Sequence, residues 1–421
     1  MRNFLPFKTE SMFRDVTVLT LGTGLAQLIN IGSAPLLSRL YSPKDFGILA
    51  IFLAIVGISS TLVTLRYETA ILIPKSSSES ANIVITSILL ALSISGLLIL
   101  MSVIFNDRIL QMLGVVKIKE WIHVVFVVSG LTAITVTIQN WLNREKRYVA
   151  IVIIRIAQST FTVVFAITFY YLNQEDLGLI GSQNLSLILT FTIASCFIFN
   201  LKRKFDLKKI PLVLYDYRNA PKFLLPTAIL DVISLQLPIL MMANLFGEEM
   251  GGQFSMSWRV LAIPLSLVGM SVGQVFLQRF SLLKDDPKSA KDLLQKTWIL
   301  LFIVGTVPTL TIFSGGKEIF QLIFGEEWLT AGVIASILSP MALIIFVSSP
   351  TSGAYIILGM QKYSLIFGVL TTIYRPFCLL YGYFMEDLFT GLKIWVMLEI
   401  IVIIFYQYLA WQKLKDSCIN N

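Results

Sequence analysis

Residues 81–105 have the sequence ANIVITSILLALSISGLLILMSVIF, a long stretch without a single charged side chain. A helix needs about 20 apolar residues to cross the hydrocarbon core of a bilayer. In lipid, unpaired backbone groups find no water, so an apolar run of this length indicates a transmembrane helix. The stretch therefore predicts a membrane protein.

Eleven further apolar runs of similar length accompany this one. Of the 421 residues, 56% are apolar and 14% are charged, against about 25% charged residues in soluble domains. A soluble globule could not cover its surface with so few charges. The twelve predicted spans, numbered in chain order, are residues 16–38, 46–70, 81–105, 120–142, 149–172, 177–200, 219–245, 252–278, 293–314, 328–350, 363–385 and 390–411.

The distribution of lysine and arginine predicts how these spans are oriented. If the N-terminus is cytoplasmic, the inside segments together with the adjoining ends of the spans carry 23 of the 33 Lys and Arg residues, and the outside loops carry 6. Cytoplasmic loops of membrane proteins are enriched in Lys and Arg, so we predict that both termini are cytoplasmic. The net charge of +8 then reflects membrane topology, and we expect no binding to nucleic acid.

The most basic loop, residues 201–217, separates the first six predicted spans from the last six. We therefore predict an N-terminal six-helix lobe of residues 1–205 and a C-terminal six-helix lobe of residues 206–421. An even number of spans gives both lobes the same orientation, so we expect a parallel pseudo-two-fold axis and a central cavity. Short similarities recur at matching places in the two halves: Pro35-Leu36-Leu37 with Pro238-Ile239-Leu240, Gly47 with Gly251, and Trp121 with Trp328.

Predicted span 8 carries a small, polar face that includes an arginine. Residues at alternating spacings of four and three lie on one face of a helix. An ionisable residue deep in a membrane normally faces an internal cavity or a partner, because its burial in lipid is costly. The glycines alone also fit a seam along which two membrane helices pack closely. The residues of this face are Ser255, Arg259, Ala262, Ser266, Gly269 and Gly273.

Predicted spans 1, 5 and 7 carry polar residues at the same spacing, and span 11 has an arginine near its middle. Arginine suits an anionic ligand, because its planar guanidinium donates bidentate, charge-assisted hydrogen bonds. The side chains that we predict to bind substrate are Arg259, Arg155, Arg375, Ser255, Ser266, Gln27 and Asn30.

Other charged residues in the spans have more than one interpretation. Asp231 on span 7 either binds a coupling cation or forms an ion pair with an arginine. Arg66 and Glu68 are candidates for a cytoplasmic gate, and alternatively they are interfacial charges that reach towards water. Glu399 on span 12 pairs with Lys393 or with a residue of another helix. The sequence leaves these alternatives open.

No motif of an enzyme reaction is evident in the chain. A Gly-rich phosphate loop followed by Lys-Ser/Thr is absent, and so is a Ser/His/Asp set. The single His123 and the three scattered cysteines lack the spacing of metal ligands. We therefore expect a transporter rather than an enzyme, with no cofactor and no metal site.

Five stretches spread over both halves are informative: LSRLYSPKDFG at 37–47, RYETAILIP at 66–74, WLNREKRY at 141–148, GQVFLQR at 273–279 and FGEEW at 324–328. Together they resemble the bacterial polysaccharide flippases of the Wzx type. This family belongs to the superfamily of multidrug, oligosaccharidyl-lipid and polysaccharide exporters.

The resemblance implies two six-helix lobes around a cavity that opens alternately to either side. It also implies a lipid-linked oligosaccharide as substrate, carried on a polyprenyl diphosphate as in O-antigen and lipopolysaccharide synthesis. The expected location is the bacterial inner membrane, and the expected partners are membrane lipids and polysaccharide-assembly proteins. The resemblance carries over no fixed motif for the charges of the cavity, so the site residues above rest on the residue pattern.

Two other classes of function stay open at this point. A cation-coupled exporter of drugs would share the architecture, but cationic drugs fit poorly beside three arginines within the membrane. A membrane glycosyltransferase or polysaccharide polymerase also has many helices. Such enzymes usually need a substantial outside loop, whereas the outside loops predicted here are short.

Overall fold

The computed structural model describes residues 9–105, 119, 121–172, 175–198, 205–283 and 286–420. These ranges are helical and contain twelve helices of 20 or more residues. The long helices are α1 (Thr9–Leu40), α2 (Pro43–Val63), α3 (Ser77–Ile104), α4 (Ile122–Arg144), α5 (Tyr148–Tyr171), α6 (Glu175–Cys196), α7 (Leu225–Phe246), α8 (Glu248–Leu282), α9 (Pro287–Phe324), α10 (Leu329–Ser348), α11 (Gln361–Phe384) and α12 (Leu388–Asn420).

Ten of these helices, all except α1 and α8, contain a stretch long and apolar enough to cross a membrane. α1 and α8 are 32 and 35 residues long, which exceeds the length that a bilayer requires. The outer faces of the helices are apolar as well. On α9, for example, Ile303 and Val307 are 62% and 70% exposed. Lipid solvates such a surface, whereas a water-soluble protein rarely exposes large contiguous apolar patches.

The second predicted span, residues 46–70, is shorter in the structure because α2 ends at Val63. Leu65 and Arg66 have φ angles of 50° and 64°. This left-handed region is sterically unfavourable for residues with a Cβ, and it stops a right-handed helix. A 3₁₀ turn, Tyr67–Leu72, follows. The prediction of an uninterrupted helix to residue 70 was therefore wrong.

Side chains of α4 hold this turn in place. Asn140 Nδ2 donates a hydrogen bond to the carbonyl of Glu68 at 3.2 Å, and Arg144 Nη1 donates to the carbonyl of Ile71 at 3.3 Å. Backbone carbonyl groups that leave a helix need such partners. The partners come from about seventy residues further along the chain, so local hydropathy could not reveal the break.

The segment that precedes α7 is attached to the start of α3. The backbone amide of Asp206 donates to Asn82 Oδ1 at 2.7 Å, and the hydroxyl of Tyr217 donates to Glu79 Oε1 at 2.7 Å. Burial and the carboxylate of Glu79 together raise the pKa of Tyr217 to about 12. Tyr217 therefore stays protonated and keeps donating at any physiological pH.

α9 continues well beyond its predicted span of 293–314 and is interrupted at Gly315, where φ is −127° and ψ is 19°. The helix resumes at once, and Gly316 packs against Gly332 of α10. A Cβ on Gly332 would contact the backbone carbonyl of Gly316. Two glycines at a crossing let helix backbones approach closely, which is a common packing mode in membranes.

The described chain forms two compact units. The first comprises the described residues up to Tyr41 together with Ile51–Val232, and the second comprises Ser42–Ala50 together with the described residues from Ile233 onwards. The start of α2 therefore packs with the second unit although most of that helix lies in the first. The lobe boundary at residue 205 stays a prediction.

Candidate functional site

Arg155 lies in α5, about 10 Å from the start of the helix at 1.5 Å per residue. Its Nη1 donates to Thr23 Oγ1 of α1 at 2.6 Å, and its Nε donates to Gln139 Oε1 of α4 at 3.3 Å. Both acceptors are neutral. Among the residues that the structure describes, no carboxylate pairs with Arg155. The half-buried guanidinium is therefore a positive charge that its own unit orients but does not neutralise.

The polar faces predicted for spans 1 and 5 meet in the structure. Asn30 Nδ2 donates to Ser159 Oγ at 3.1 Å, and Gln27 is half-buried one turn earlier on α1. The two helices are in close contact, because a Cβ on Gly22 would collide with the side chain of Val152. The first unit thus combines Arg155 with neutral hydrogen-bonding groups from three helices.

Arg66 and Glu68 form an ion pair in the turn after α2, with Nη1 3.3 Å from Oε1. The side chain of Glu68 is only 5% exposed, so it does not reach towards water as an interfacial charge would. Arg66 Nε and Glu68 Oε2 are buried without a hydrogen-bond partner among the described residues. The pair is therefore held by one contact only, and its role as a gate stays a prediction.

Asp231 and Arg259 belong to different units. Asp231 is exposed and belongs to the first unit, where the positive charge of Arg66 acts on it. Arg259 is exposed and belongs to the second unit, where its guanidinium carbon lies 5.9 Å from the ring centroid of Phe46. A cation over an aromatic face at this distance is weakly attracted by the ring. Neither residue has an ion-pair partner within the described part of its own unit.

Arg375 departs from its predicted role, because a carboxylate of α12 neutralises its charge. Arg375 Nε donates to Glu399 Oε2 at 2.9 Å and Nη2 donates to Oε1 at 2.5 Å. Nη1 donates to the carbonyl and the hydroxyl of Ser234 on α7. Trp395 Nε1 donates to the same carboxylate at 2.9 Å. The arginine therefore joins α7, α11 and α12, and it is not a free cation for a substrate.

A cavity of about 260 Å³ lies beside this ion pair within the second unit. Its walls include the aromatic rings of Phe254, Trp258 and Tyr406. A neutral pair next to aromatic walls does not create a strongly anion-attracting site. Three arginines were predicted to bind substrate. Two of them, Arg155 and Arg259, have no carboxylate partner in the described part of their own units.

Span 8 contributes both polar and packing residues. Ser255 is half-buried, whereas the side chain of Ser266 lies outside the described residues. The two glycines of the same face lie against Pro350. A Cβ on Gly269 or Gly273 would stand 4.0 Å or 3.4 Å from the nearest atom of that proline. These glycines therefore belong to a packing seam, as their spacing also allowed.

Sequence reasoning left the partner of Glu399 undecided, and the structure identifies it as Arg375. The sequence did contain a signal for this ion pair, because Glu399 and Arg375 are isolated charged residues within two apolar spans. Buried charges in membranes usually pair with one another. Choosing between Arg375 and Lys393 required the rotation of α11 against α12, which hydropathy does not specify.

A protein family described as "Polysaccharide biosynthesis protein" matches residues 36–333 of the chain. A comparison with curated proteins gave no significant match. Among solved structures, the chain is similar to an inward-facing multidrug resistance MATE family transporter of the MOP superfamily. The TM-score is 0.73 at 15% identity, over 94% of this chain and 96% of that one.

Two further solved structures show the same likeness. The lipid II flippase MurJ in an inward closed conformation gives a TM-score of 0.70 at 14% identity, over 93% of this chain and 87% of that one. A MOP superfamily transporter from Pyrococcus furiosus gives 0.56 at 15% identity, over 95% and 94%. The likeness confirms the predicted fold class, an all-helical membrane protein with two six-helix bundles.

Proposed function

The chain belongs to the polysaccharide biosynthesis protein family, and from this we propose that it is a flippase for a lipid-linked oligosaccharide. The substrate is a repeat unit on a polyprenyl diphosphate. The protein moves it by alternating access from the cytoplasmic to the outer leaflet of the bacterial inner membrane. The proposal rests on the arginines that have no carboxylate partner in the described spans.

The barrier to flipping is the transfer of a diphosphate and sugar hydroxyls through hydrocarbon. Burying a charge without a partner costs many kcal/mol, so the path needs cations and hydrogen-bonding groups. Arg155 supplies a positive charge that Thr23 and Gln139 hold in position. Arg259 is a second guanidinium without a carboxylate partner in the described part of its own unit. Guanidinium groups bind phosphate bidentately, which makes arginine more suitable here than lysine.

Arg375 has a different role in the proposal. Glu399 already occupies its guanidinium, so a diphosphate would have to displace a bidentate carboxylate. We therefore assign Arg375 to the internal structure of the second unit. Asp231, Gln27, Asn30 and Ser255 remain candidates for ion coupling or for contact with the sugars.

Arg155→Gln is expected to slow flipping about tenfold or more without unfolding the protein. The reason is that a hydrogen bond to a charged group contributes about 1.5–3 kcal/mol, and about 1.4 kcal/mol corresponds to a factor of ten. The measurement is leaflet exchange of a fluorescent lipid-linked oligosaccharide by purified protein in liposomes. Arg259→Gln is expected to act in the same direction. Arg218→Gln changes an exposed arginine that stacks on Tyr215, and it serves as the control.

Normal flipping by both variants at normal protein levels would remove these arginines from the site. The same liposomes separate the proposal from export of cationic drugs. Two cations without carboxylate partners in their own units repel a cationic ligand, so we expect no transport of cationic dyes. Transport of dyes without any exchange of the glycolipid would favour the drug exporter.

A further inference from the structure

The second unit has an apolar groove on its surface, and none of the arginines discussed above lines it. Its volume is about 620 Å³, within the range of about 300–1,000 Å³ that is usual for ligand sites. Residues of α9, α10 and α12 line it, and ten of the thirteen lining residues are apolar or aromatic. The three helices belong to one unit, so the groove is a feature of that unit alone.

The groove has the length of a lipid chain in one leaflet. On α9 its lining residues extend from Gln295 to Ile303, about 12 Å along the axis at 1.5 Å per residue. On α12 they extend from Ile403 to Trp411. Half of a hydrocarbon core of about 30 Å is about 15 Å, so an acyl chain of one leaflet matches this length. A polyprenyl tail is several times longer than the groove.

One end of the groove is aromatic and basic, whereas the other is apolar. Trp298 and Trp411 line the aromatic and basic end. The indole Nε1 of Trp298 donates a hydrogen bond to Thr351 Oγ1 at 3.0 Å. Lys291 Nζ and Lys415 Nζ lie 4.7 Å and 5.5 Å from the ring centroid of Trp411. Tryptophan prefers the level of the headgroups, and lysine there attracts anionic lipid.

The two lysines have bonding capacity left for a phosphate. Neither forms an ion pair with a carboxylate in the described part of the chain, whereas their neighbour Lys296 pairs with Asp292 at 2.7 Å. An ammonium group has three donors, and contact with the face of Trp411 does not use them all. The apolar groove therefore ends at two lysines whose ammonium groups can still donate hydrogen bonds to a phosphate.

We propose that this groove binds one anionic glycerophospholipid, with an acyl chain along α9 and α12 and its phosphate between Lys291 and Lys415. The groove contains none of the residues assigned above to substrate binding, so the proposal does not depend on the proposed function. The two lysines at one end of the groove select an anionic headgroup. The apolar remainder of the groove binds the acyl chain and does not distinguish between chains.

The test is quenching of tryptophan fluorescence in vesicles by brominated phosphatidylglycerol or brominated phosphatidylcholine. We expect the anionic lipid to quench at least threefold more strongly at low mole fraction, and Trp298→Phe/Trp411→Phe to lose this difference. The variant Lys291→Gln/Lys415→Gln should also lose it. Lys317→Gln changes an exposed lysine near the opposite end of α9 and should retain it.

Three results would overturn the proposal. One is equal quenching by the two lipids in the unmodified protein. Another is a preference for the anionic lipid that survives in Lys291→Gln/Lys415→Gln while that variant elutes as folded protein. The third is relief of quenching by a polyprenyl phosphate at lower mole fraction than by phosphatidylglycerol, which would assign the groove to the carrier lipid.

Discussion

Glu399→Gln is expected to destabilise the protein by about 3–5 kcal/mol, because it leaves Arg375 buried without a carboxylate. The two side chains are 1% and 15% exposed, so solvent does not compensate for the lost charge. Glutamine keeps an acceptor for Trp395 and nearly the same shape, so the change isolates the charge. The measurement is the melting temperature in detergent, read from the monodisperse fraction after heating.

Two variants define the interpretation of this result. Arg375→Met/Glu399→Leu removes both charges and is expected to recover much of the stability, because paired burial of ions is often no better than apolar packing. Glu386→Gln changes an exposed carboxylate and is the matched control. If Glu399→Gln had the same melting temperature as the unmodified protein, the ion pair would have no structural role.

Gly252→Ala is expected to produce the second large effect, a loss of about 1–3 kcal/mol or more through overpacking. The added Cβ would collide with the backbone carbonyl of Pro43 and approach the amide of Gly47 within 2.9 Å. Backbone atoms cannot rotate away as a side chain can, so α2 and α8 must separate. Gly47→Ala should have the same consequence, because its Cβ would collide with the carbonyl of Glu248.

A glycine with open space beside it provides the control for this crossing. Gly368 lies inside α11, and a Cβ added there would meet no atom of another described residue within 4 Å. Gly368→Ala should be neutral or stabilising, because alanine is favoured over glycine in a helix by about 1 kcal/mol. Melting temperatures of the three variants are compared in one detergent. A Gly252→Ala protein as stable as Gly368→Ala would contradict the close approach of α2 and α8.

The helices could be predicted from the sequence because the bilayer imposes their length and apolar character. α5 begins at Tyr148 and ends at Tyr171, within a residue of the predicted span 149–172. The end of α2 could not be predicted in this way. Leu65 and Arg66 adopt left-handed φ angles that end the helix, and hydrogen bonds from Asn140 and Arg144 hold the turn that follows.

The polar faces of single spans could be identified from the sequence, but which faces come into contact could not. In the structure spans 1 and 5 are joined by the bonds of Arg155 to Thr23 and of Asn30 to Ser159. The environment of each arginine was not predictable. Arg375 and Arg155 look alike in sequence, yet only Arg375 lies opposite a carboxylate, because that depends on how neighbouring helices are rotated.

The ion pairs Arg375–Glu399 and Arg66–Glu68 differ in how completely their polar atoms are hydrogen-bonded. Glu399 uses both oxygens, and Arg375 uses all three of its nitrogens. Arg66 and Glu68 each keep one buried polar atom unbonded in the closed contact. Breaking a saturated pair forfeits every bond at once, whereas an unsaturated pair can gain a new bond before it loses the old one. We therefore expect an added anion to exchange more readily with the pair in the turn after α2 than with the pair in the second unit.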